Sequence, residues 1–327
     1  MPSVTDTPPE AVREDLTRLE AALDDEGNLP PRVLDRTLLI GTWNLRHFGG
    51  LTEKWESAED DSPKRDLQSI LTIAEIIRRF DVVALQEVRG DLKALRHTMK
   101  ALGRDWGLVL SDVTRGDPGN DERLGFLFDR RTVRMSGLAG ELVVPAEQFE
   151  RIGEDALQRQ FARTPYAVAF QCGGETFILV TLHVLWGDSA AERTPELKAI
   201  AEWLDDWARD VNSWDHNLIA LGDFNIDRAG GERYEAFTST GLTVPDDLHD
   251  VPRTLWSDPD EPHLDKFYDQ IAWFTADGDR PALSLDYREA GYFDFQDVAL
   301  PRRDLSRNSL SWRISDHYPL WAAFDLG

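Results

Sequence analysis

The sequence predicts an α/β fold built from alternating β-strands and α-helices. Short apolar runs such as 37–44 and 82–87 alternate with longer segments whose apolar residues recur at helical spacing, such as 66–80. The pair Gly173-Gly174 joins two further apolar runs and is typical of a β-hairpin turn. With 327 residues, 41% of them hydrophobic, the chain can bury a sizeable core in one large domain or two small ones.

The N-terminal segment is predicted to form an amphipathic helix over residues 7–24, because its valine and leucines fall on one helical face. The sequence EGNLPPR at 26–32 then interrupts the chain. We therefore expect residues 1–33 to form a helical appendage and residues 34–327 to form the main domain.

The main domain is predicted to continue the alternation to its end. Strands are expected at 37–44, 82–87, 106–112, 124–129, 132–144, 166–172, 175–183, 217–223, 267–274 and 318–326. Helices are expected at 66–80, 90–102 and 191–211, where leucine, isoleucine and alanine fall on one face. Acidic or irregular loops are expected at 51–65, 145–163 and 276–315.

The charge of the chain constrains its partners. There are 36 lysines and arginines against 60 aspartates and glutamates, which gives a net charge of −24. A protein this acidic repels polyanions at long range, so contact with nucleic acid must come from a local basic patch or a bound cation. Only six of the basic residues are lysines. We slightly favour an ordinary solvated acidic surface, with arginine preferred over lysine because the genome has a high GC content. The alternative is adaptation to high salt, where the repulsion would be screened.

Cysteine content and the N-terminus bear on the compartment. Cys172 is the only cysteine, so no intramolecular disulfide can form, which fits a reducing compartment or a fold that needs no cross-link. The first residues carry neither a basic segment nor an apolar run, and no stretch reaches membrane-spanning length. We expect a cytoplasmic protein with no membrane span, and nothing in the sequence predicts a protein partner.

Polar side chains lie at or near the ends of the predicted apolar strands, where α/β folds commonly place their chemistry. They are Asn44, Glu87, His183, Asp223, Asn225, Asp316 and His317, and Asp269 lies inside a further apolar run. Taken singly, each has an ordinary explanation as a turn former, a helix cap or a hydrogen-bonded core residue. Taken together, these side chains are mostly oxygen donors, and none of them is a thiolate. Such a set indicates a site for a hard cation such as Mg²⁺ or Mn²⁺, with a phosphate bound to it.

Six segments resemble the motifs of the endonuclease/exonuclease/phosphatase superfamily. They are GTWNLRHFG, ALQEVRG, LHVLWGD, LGDFNID, YDQIAWF and ISDHYPL. In motif detail the chain is similar to the deoxyribonuclease I-like members, and the resemblance spans roughly residues 36–326. It implies a four-layer α/β sandwich, in which two mixed β-sheets pack face to face with helices outside.

The resemblance also implies a metal centre. Glu87 matches the family's main metal-ligating carboxylate, and Asn44 and Asp316 would complete or support that site. Asp223, together with Asn225, would hold a second metal or the attacking water.

Two histidine–carboxylate pairs are implied in the same way, His317 with Asp269 and His183 with Glu122. A carboxylate behind an imidazole fixes its tautomer and stabilises its charged form. The metal and His183 would neutralise the phosphate and the leaving group. Either Asp223 or the His317–Asp269 pair would activate the water, and both alternatives stay open at this point.

Three functions compete. A metal-dependent nuclease acting on DNA is favoured by Arg46 and Arg89, which match arginines of deoxyribonuclease I-like members and are expected to bind substrate. A phosphatase or phosphodiesterase acting on a small-molecule or phospholipid head-group phosphate is favoured by the acidic charge, because a small substrate needs no extended basic track. A non-catalytic binding module is the least favoured, since each matching catalytic position holds the expected residue type.

Overall fold

The computed structural model describes residues 1–114, 121–142, 163–184, 190–210, 217–258, 260–261, 265–278, 280 and 283–326. The helices are α1 (Glu10–Leu23), α2 (Leu67–Ile77), α3 (Lys93–Leu102), α4 (Ala190–Arg209), α5 (Glu232–Thr238) and α6 (Arg307–Ser311). The strands are β1 (Thr37–Phe48), β2 (Val82–Arg89), β3 (Trp106–Leu110), β4 (Glu122–Asp129), β5 (Arg134–Glu141), β6 (Tyr166–Cys172), β7 (Glu175–His183), β8 (Leu218–Asp223), β9 (Leu242–Thr243), β10 (Asp269–Phe274), β11 (Asp286–Tyr292) and β12 (Leu320–Asp325).

These strands form two six-stranded mixed sheets. The first has the order β11-β12-β1-β2-β4-β3, and the second has the order β5-β6-β7-β8-β10-β9. The pairs β1–β2 and β7–β8 are parallel, whereas the other neighbouring strands are antiparallel. The predicted sandwich of two mixed sheets flanked by helices is therefore confirmed.

The core follows the two-residue period of the strands. Leu38 and Ile40 of β1 join the cluster between the sheets, which also includes apolar residues of β6, β7 and α4. Leu39 and Trp43, on the opposite face of the same strand, join a second cluster with the apolar side of α2. One strand thus supports the inner core and an outer helical layer.

Helix α1 packs against α2. Its Leu19 and Leu23 are buried in the second cluster, together with the apolar side of α2. Asp15 of α1 accepts a hydrogen bond of 2.7 Å from Gln68 Nε2. The segment before residue 33 therefore contributes to the packing of the main domain. The division of the chain into residues 1–33 and 34–327 stays a prediction.

Two differences from the expected elements lie near the C-terminus. The prediction of an irregular segment over 276–315 is wrong in part, because β11 and α6 lie within it. Strand β11 was missed because it is an edge strand that, among the described strands, pairs with β12 alone, and its residues DYREAGY carry little apolar alternation. Most of the loop expected at 145–163 lies outside the described residues. Within the part of the chain that is described, no helix is long and apolar enough to cross a membrane.

Candidate active site

The parallel strand pairs bring their carboxyl ends to one edge of the sandwich. Asn44 of β1 pairs with Gln86 of β2, and His183 of β7 pairs with Asp223 of β8. Strand β10 runs antiparallel to β8 and places Asp269 opposite Asp223. The structure therefore gathers predicted site residues from both sheets at the same edge.

Gly222 allows β8 to approach β7 at this edge. Its φ is +138°, and a Cβ at this position would lie 2.1 Å from the carbonyl oxygen of Leu182. A side chain cannot be accommodated there without moving the backbone. The glycine in LGDFN is thus required by the register that sets Asp223 beside His183.

Asn44 connects two carboxylates, one from each sheet. Its Nδ2 donates to Glu87 Oε1 and to Asp223 Oδ2, each at 3.1 Å, and its Oδ1 accepts from the backbone N–H of Arg46 at 3.0 Å. This orientation is the favourable one, because the amide oxygen would face two carboxylates if the group were reversed. Asn44, predicted to complete or support the metal site, thus holds two of its carboxylates together.

Glu87 lies at an irregularity in β2. The pairing of β2 with β4 shifts register between Leu85 and Val88, and Glu87 has a left-handed φ of +59°. Such a backbone conformation costs a non-glycine residue about 1–3 kcal/mol and persists where the surrounding structure enforces it. Here the backbone N–H of His47, itself at a φ of +53°, donates to Glu87 Oε2 at 2.7 Å.

The carboxyl group of Glu87 stays ionised at neutral pH. Burial raises its pKa, but the charge of His183 and the hydrogen bonds from His47 and Asn44 outweigh burial and hold the pKa at about 2. Glu87 therefore presents a negative oxygen pair beside Asp223, which suits a divalent cation.

Arg65 fixes the backbone that holds Glu87. The guanidinium is buried and donates, at 2.9–3.1 Å, to the carbonyl oxygens of Leu45, Arg46, His47, Arg313 and Ile314. It thereby joins the irregular end of β1 to the segment that precedes Asp316. Sequence reasoning missed Arg65, because it lies at the end of an acidic loop with no periodic pattern.

The two arginines predicted to bind substrate both have partners within the site. Arg46 Nη1 lies 3.3 Å from Asp316 Oδ2, and its guanidinium stacks on the Trp312 ring at 4.1 Å. Arg89 Nη1 lies 3.1 Å from Glu122 Oε1. Their role as substrate ligands stays a prediction.

His317 forms a direct pair with Asp269. Its Nδ1 lies 2.7 Å from Asp269 Oδ2, and Trp43 Nε1 donates to the His317 carbonyl oxygen at 2.8 Å. Burial raises the pKa of Asp269 to about 6, while the imidazole opposes this shift. Burial lowers the pKa of His317, but the carboxylate of Asp269 outweighs it and raises the pKa well above 6.5.

Asp223 lies between the two imidazoles. Its Oδ2 is 3.6 Å from His183 Nε2 and 4.0 Å from His317 Nε2. Its Oδ1 accepts the backbone N–H of Asn225 at 3.0 Å, and Asn225 Nδ2 donates to Val184 O at 2.6 Å. Asp223 is thus placed to act with either histidine.

His183 approaches Glu122, as the resemblance implied. The distance from His183 Nδ1 to Glu122 Oε2 is 3.1 Å, and Arg163 Nε lies 2.7 Å from the same oxygen. Arg89 reaches the other oxygen, so this buried carboxylate faces three nitrogen-bearing side chains. Arg163 was not among the predicted site residues, and its contact with Glu122 is visible only in the fold.

The donors at this edge fit a hard divalent cation. Asp223, Asp269 and His317 offer three ligand atoms within 4.8 Å of one another. Asp269 Oδ1 is buried and lacks a hydrogen-bond partner among the described residues, which is costly for a carboxylate oxygen. Glu87 of β2 and Asp316, in the segment before β12, add two further carboxylates, and oxygen donors of this kind suit Mg²⁺ or Mn²⁺.

Comparison with known proteins agrees with this geometry. The model of the Endonuclease/Exonuclease/phosphatase family matches residues 41–317. A deoxyribonuclease of Thioalkalivibrio sp. (strain K90mix) is 26% identical over 305 residues, which cover 91% of this chain and 73% of that protein. Deoxyribonuclease-1 of Bos taurus is 26% identical over 303 residues, which cover 88% of this chain and 92% of that protein.

A solved structure shows the same fold. The mannosyl-6-phosphatase of Bacteroides thetaiotaomicron has a TM-score of 0.56 and 19% identity, over 87% of this chain and 98% of that chain. Because the family model covers most of the sequence, the protein belongs to the endonuclease/exonuclease/phosphatase family, whose members are phosphoesterases and nucleases that generally depend on a divalent metal.

Proposed function

We propose that the protein is an endonuclease that hydrolyses phosphodiester bonds in DNA with Mg²⁺ or Mn²⁺ as cofactor. The observation that carries the proposal is the position of Asp223, whose Oδ2 lies within 4.0 Å of both histidine Nε2 atoms and 3.1 Å from Asn44 Nδ2. The two deoxyribonuclease relatives favour DNA as the substrate.

The residues divide the work of phosphodiester hydrolysis as follows. Glu87, Asp316 and Asn44 hold or support the metal site, and a bound cation would neutralise charge on the phosphate. Asp223, held by Asn225, accepts the proton of the attacking water.

The histidines act on charge. The raised pKa of His317 favours its imidazolium, which stabilises the negative phosphate and, while protonated, leaves the cation to the carboxylates. His183, positioned by Glu122, lies on the other side of Asp223 and neutralises the charge on the leaving oxygen.

The substitution Glu87→Gln tests the metal requirement. It keeps the shape of the side chain and removes the charge that attracts the cation. We expect turnover of supercoiled plasmid to fall by roughly two orders of magnitude or more, in line with the loss of a major electrostatic contribution. Near-normal activity in the variant, or full activity of the native protein in excess chelator, would contradict the proposal.

The second candidate is a phosphatase or phosphodiesterase for a small phosphate ester. The net charge of −24 favours a small substrate, and a solved phosphatase shares the fold. Incubation with Mg²⁺ and plasmid, followed by a panel of phosphomonoesters, separates the two functions. A cytoplasmic location is part of the proposal, in keeping with the free, buried thiol of Cys172.

A further inference from the structure

A basic groove lies along α3, on the outside of the first sheet. Its volume is about 840 Å³, and leucine, methionine and tryptophan side chains form its apolar part. Six basic side chains line it, namely Lys93, Arg96, His97, Lys100, Arg104 and Arg130. Among the described residues that line it there is no aspartate or glutamate. We call it the α3 groove.

Helical spacing explains why the cations of α3 share one side. Lys93, Arg96 and Lys100 are three and four residues apart, so they lie on the same face of the helix. At 1.5 Å per residue, Lys93 and Lys100 are separated by about 10 Å along the helix axis. Arg104 follows the helix, and Arg130 Nη2 donates to Trp106 O at 2.9 Å, which places its guanidinium at the far end of the groove.

The charge in this groove is only partly neutralised. Lys93 lies 3.5 Å from Glu53, and Arg104 lies 3.9 Å from Asp105. Arg96 and Lys100 are exposed, and neither forms an ion pair with any residue that the structure describes. In a chain with a net charge of −24, two uncommitted cations beside two weakly paired ones form a local site for an anion.

The groove begins next to the candidate active site. The backbone N–H of Ala94, in the first turn of α3, donates to Gly49 O at 2.8 Å. Gly49 in turn packs so closely on Arg89 that an added Cβ would lie 2.9 Å from the Arg89 Cβ. Because Gly49 follows His47, whose N–H binds Glu87, the row of cations starts beside the metal-binding edge and leads away from it.

We propose that the α3 groove binds the sugar–phosphate backbone of the DNA substrate at a distance from the bond that is cleaved. The inference rests on the proposed nuclease function and deepens it. A row of separate cations suits the repeated phosphates of a nucleic acid strand, whereas a single small phosphate would contact one or two of them. The groove also supplies the local basic patch that so acidic a protein needs to hold a polyanion.

The double substitution Arg96→Ala with Lys100→Ala tests this inference. The matched control is Lys198→Ala with Arg288→Ala, which removes the same charge from α4 and from β11, a strand at the opposite edge of the first sheet from β3. For the groove variant we expect kcat/KM on long duplex DNA to fall about tenfold, and the slope of log affinity against log salt to fall by roughly 2. Hydrolysis of a small chromogenic phosphodiester should not change, and the control should match the native protein in every assay.

Three outcomes separate the groove from the nuclease function. If DNA is cleaved and the groove variant equals the control, the groove inference is overturned while the nuclease function stands. If the native protein binds a labelled duplex without cleaving it, and the groove variant loses that binding, the nuclease function is overturned and the groove inference stands. If the groove variant loses as much activity on the small diester as on DNA, the groove inference is also overturned. Melting temperatures check folding, and the variant Arg96→Gln with Lys100→Gln replaces the alanine variant if that one is unstable.

Discussion

The two histidine–carboxylate pairs of the candidate site differ in how the carboxylate is neutralised. Asp269 is fully buried, and among the described residues it forms an ion pair with His317 alone, at 2.7 Å. Glu122 is equally buried but lies 2.7 Å from Arg163 Nε, besides its contacts with His183 and Arg89.

The difference separates control of charge from control of position. A buried carboxylate with a single imidazole partner strongly favours the imidazolium, which is why the pKa of His317 is raised. Two guanidinium groups already balance the charge of Glu122, so its main effect is to fix three side chains from different elements in one arrangement. We therefore expect Asp269 to act on the protonation of His317 and Glu122 to act on the geometry around His183.

The largest expected effect is the loss of either imidazole. For His317→Ala and His183→Ala we expect turnover to fall by about 10²–10⁴-fold, the usual contribution of a proton-transferring or charge-stabilising group, with a much smaller change in substrate binding. Turnover and melting temperature should be measured together. If activity is lost only in step with thermal stability, the histidine fills space and takes no part in the chemical step.

Substitutions of the two carboxylates that pair with the imidazoles should differ in their effect on the free energy of unfolding. Asp269→Asn and Glu122→Gln each remove one charge from a fully buried side chain of unchanged shape, so each is a matched control for the other. Both should reproduce part of the corresponding histidine loss. Only Glu122→Gln removes the negative charge that two guanidinium groups share, and we expect it to cost about 3–5 kcal/mol of unfolding free energy. Equal losses in denaturant titrations would contradict the distinction.

The pH dependence of stability provides a test with a predicted sign. Because the folded pKa of His317 exceeds its ordinary 6.5, the stabilisation from this group is complete below pH 6.5 and is lost as the pH rises through the folded value. In Asp269→Asn, burial becomes the dominant influence and lowers the pKa of His317. The unfolded state then binds more protons, so this group should make stability rise as the pH rises towards 6.5.

The test compares the native protein with the Asp269→Asn variant. The unfolding free energy of each is measured in the presence of chelator from acid to alkaline pH. Glu122→Gln serves as the control, since its carboxylate does not contact His317. A slope that Asp269→Asn leaves unchanged would show that the carboxylate does not set the protonation of His317.

The smallest expected effects are those of Arg46→Ala and Arg89→Ala. If each arginine contacts the DNA backbone, each substitution should weaken cleavage of all sequences about equally and lower the salt-dependence slope by roughly 1. Arg89→Ala should in addition reproduce part of the instability of Glu122→Gln, because it removes one partner of that carboxylate. Normal plasmid cleavage by both variants would leave these arginines with structural roles in the site.

The sequence by itself determined most of the strand and helix order and the candidate site residues. Apolar runs with a two-residue or 3.6-residue period are local properties of the chain, so the amino-acid pattern alone is enough to place β1, β2, β7 and β8. The same pattern predicted four candidate site residues, because each lies at the end of such a run. They are Asn44, Glu87, His183 and Asp223.

Only the tertiary structure decided how these residues are held. Asn44 and Asp223 are 179 positions apart, and the amide that joins Glu87 to Asp223 depends on the packing of two sheets. The same holds for Arg65, whose five carbonyl acceptors come from two distant segments, and for Arg163 at Glu122. Burial and charge neutralisation depend on neighbours in space, and a pattern that repeats along the chain does not encode them.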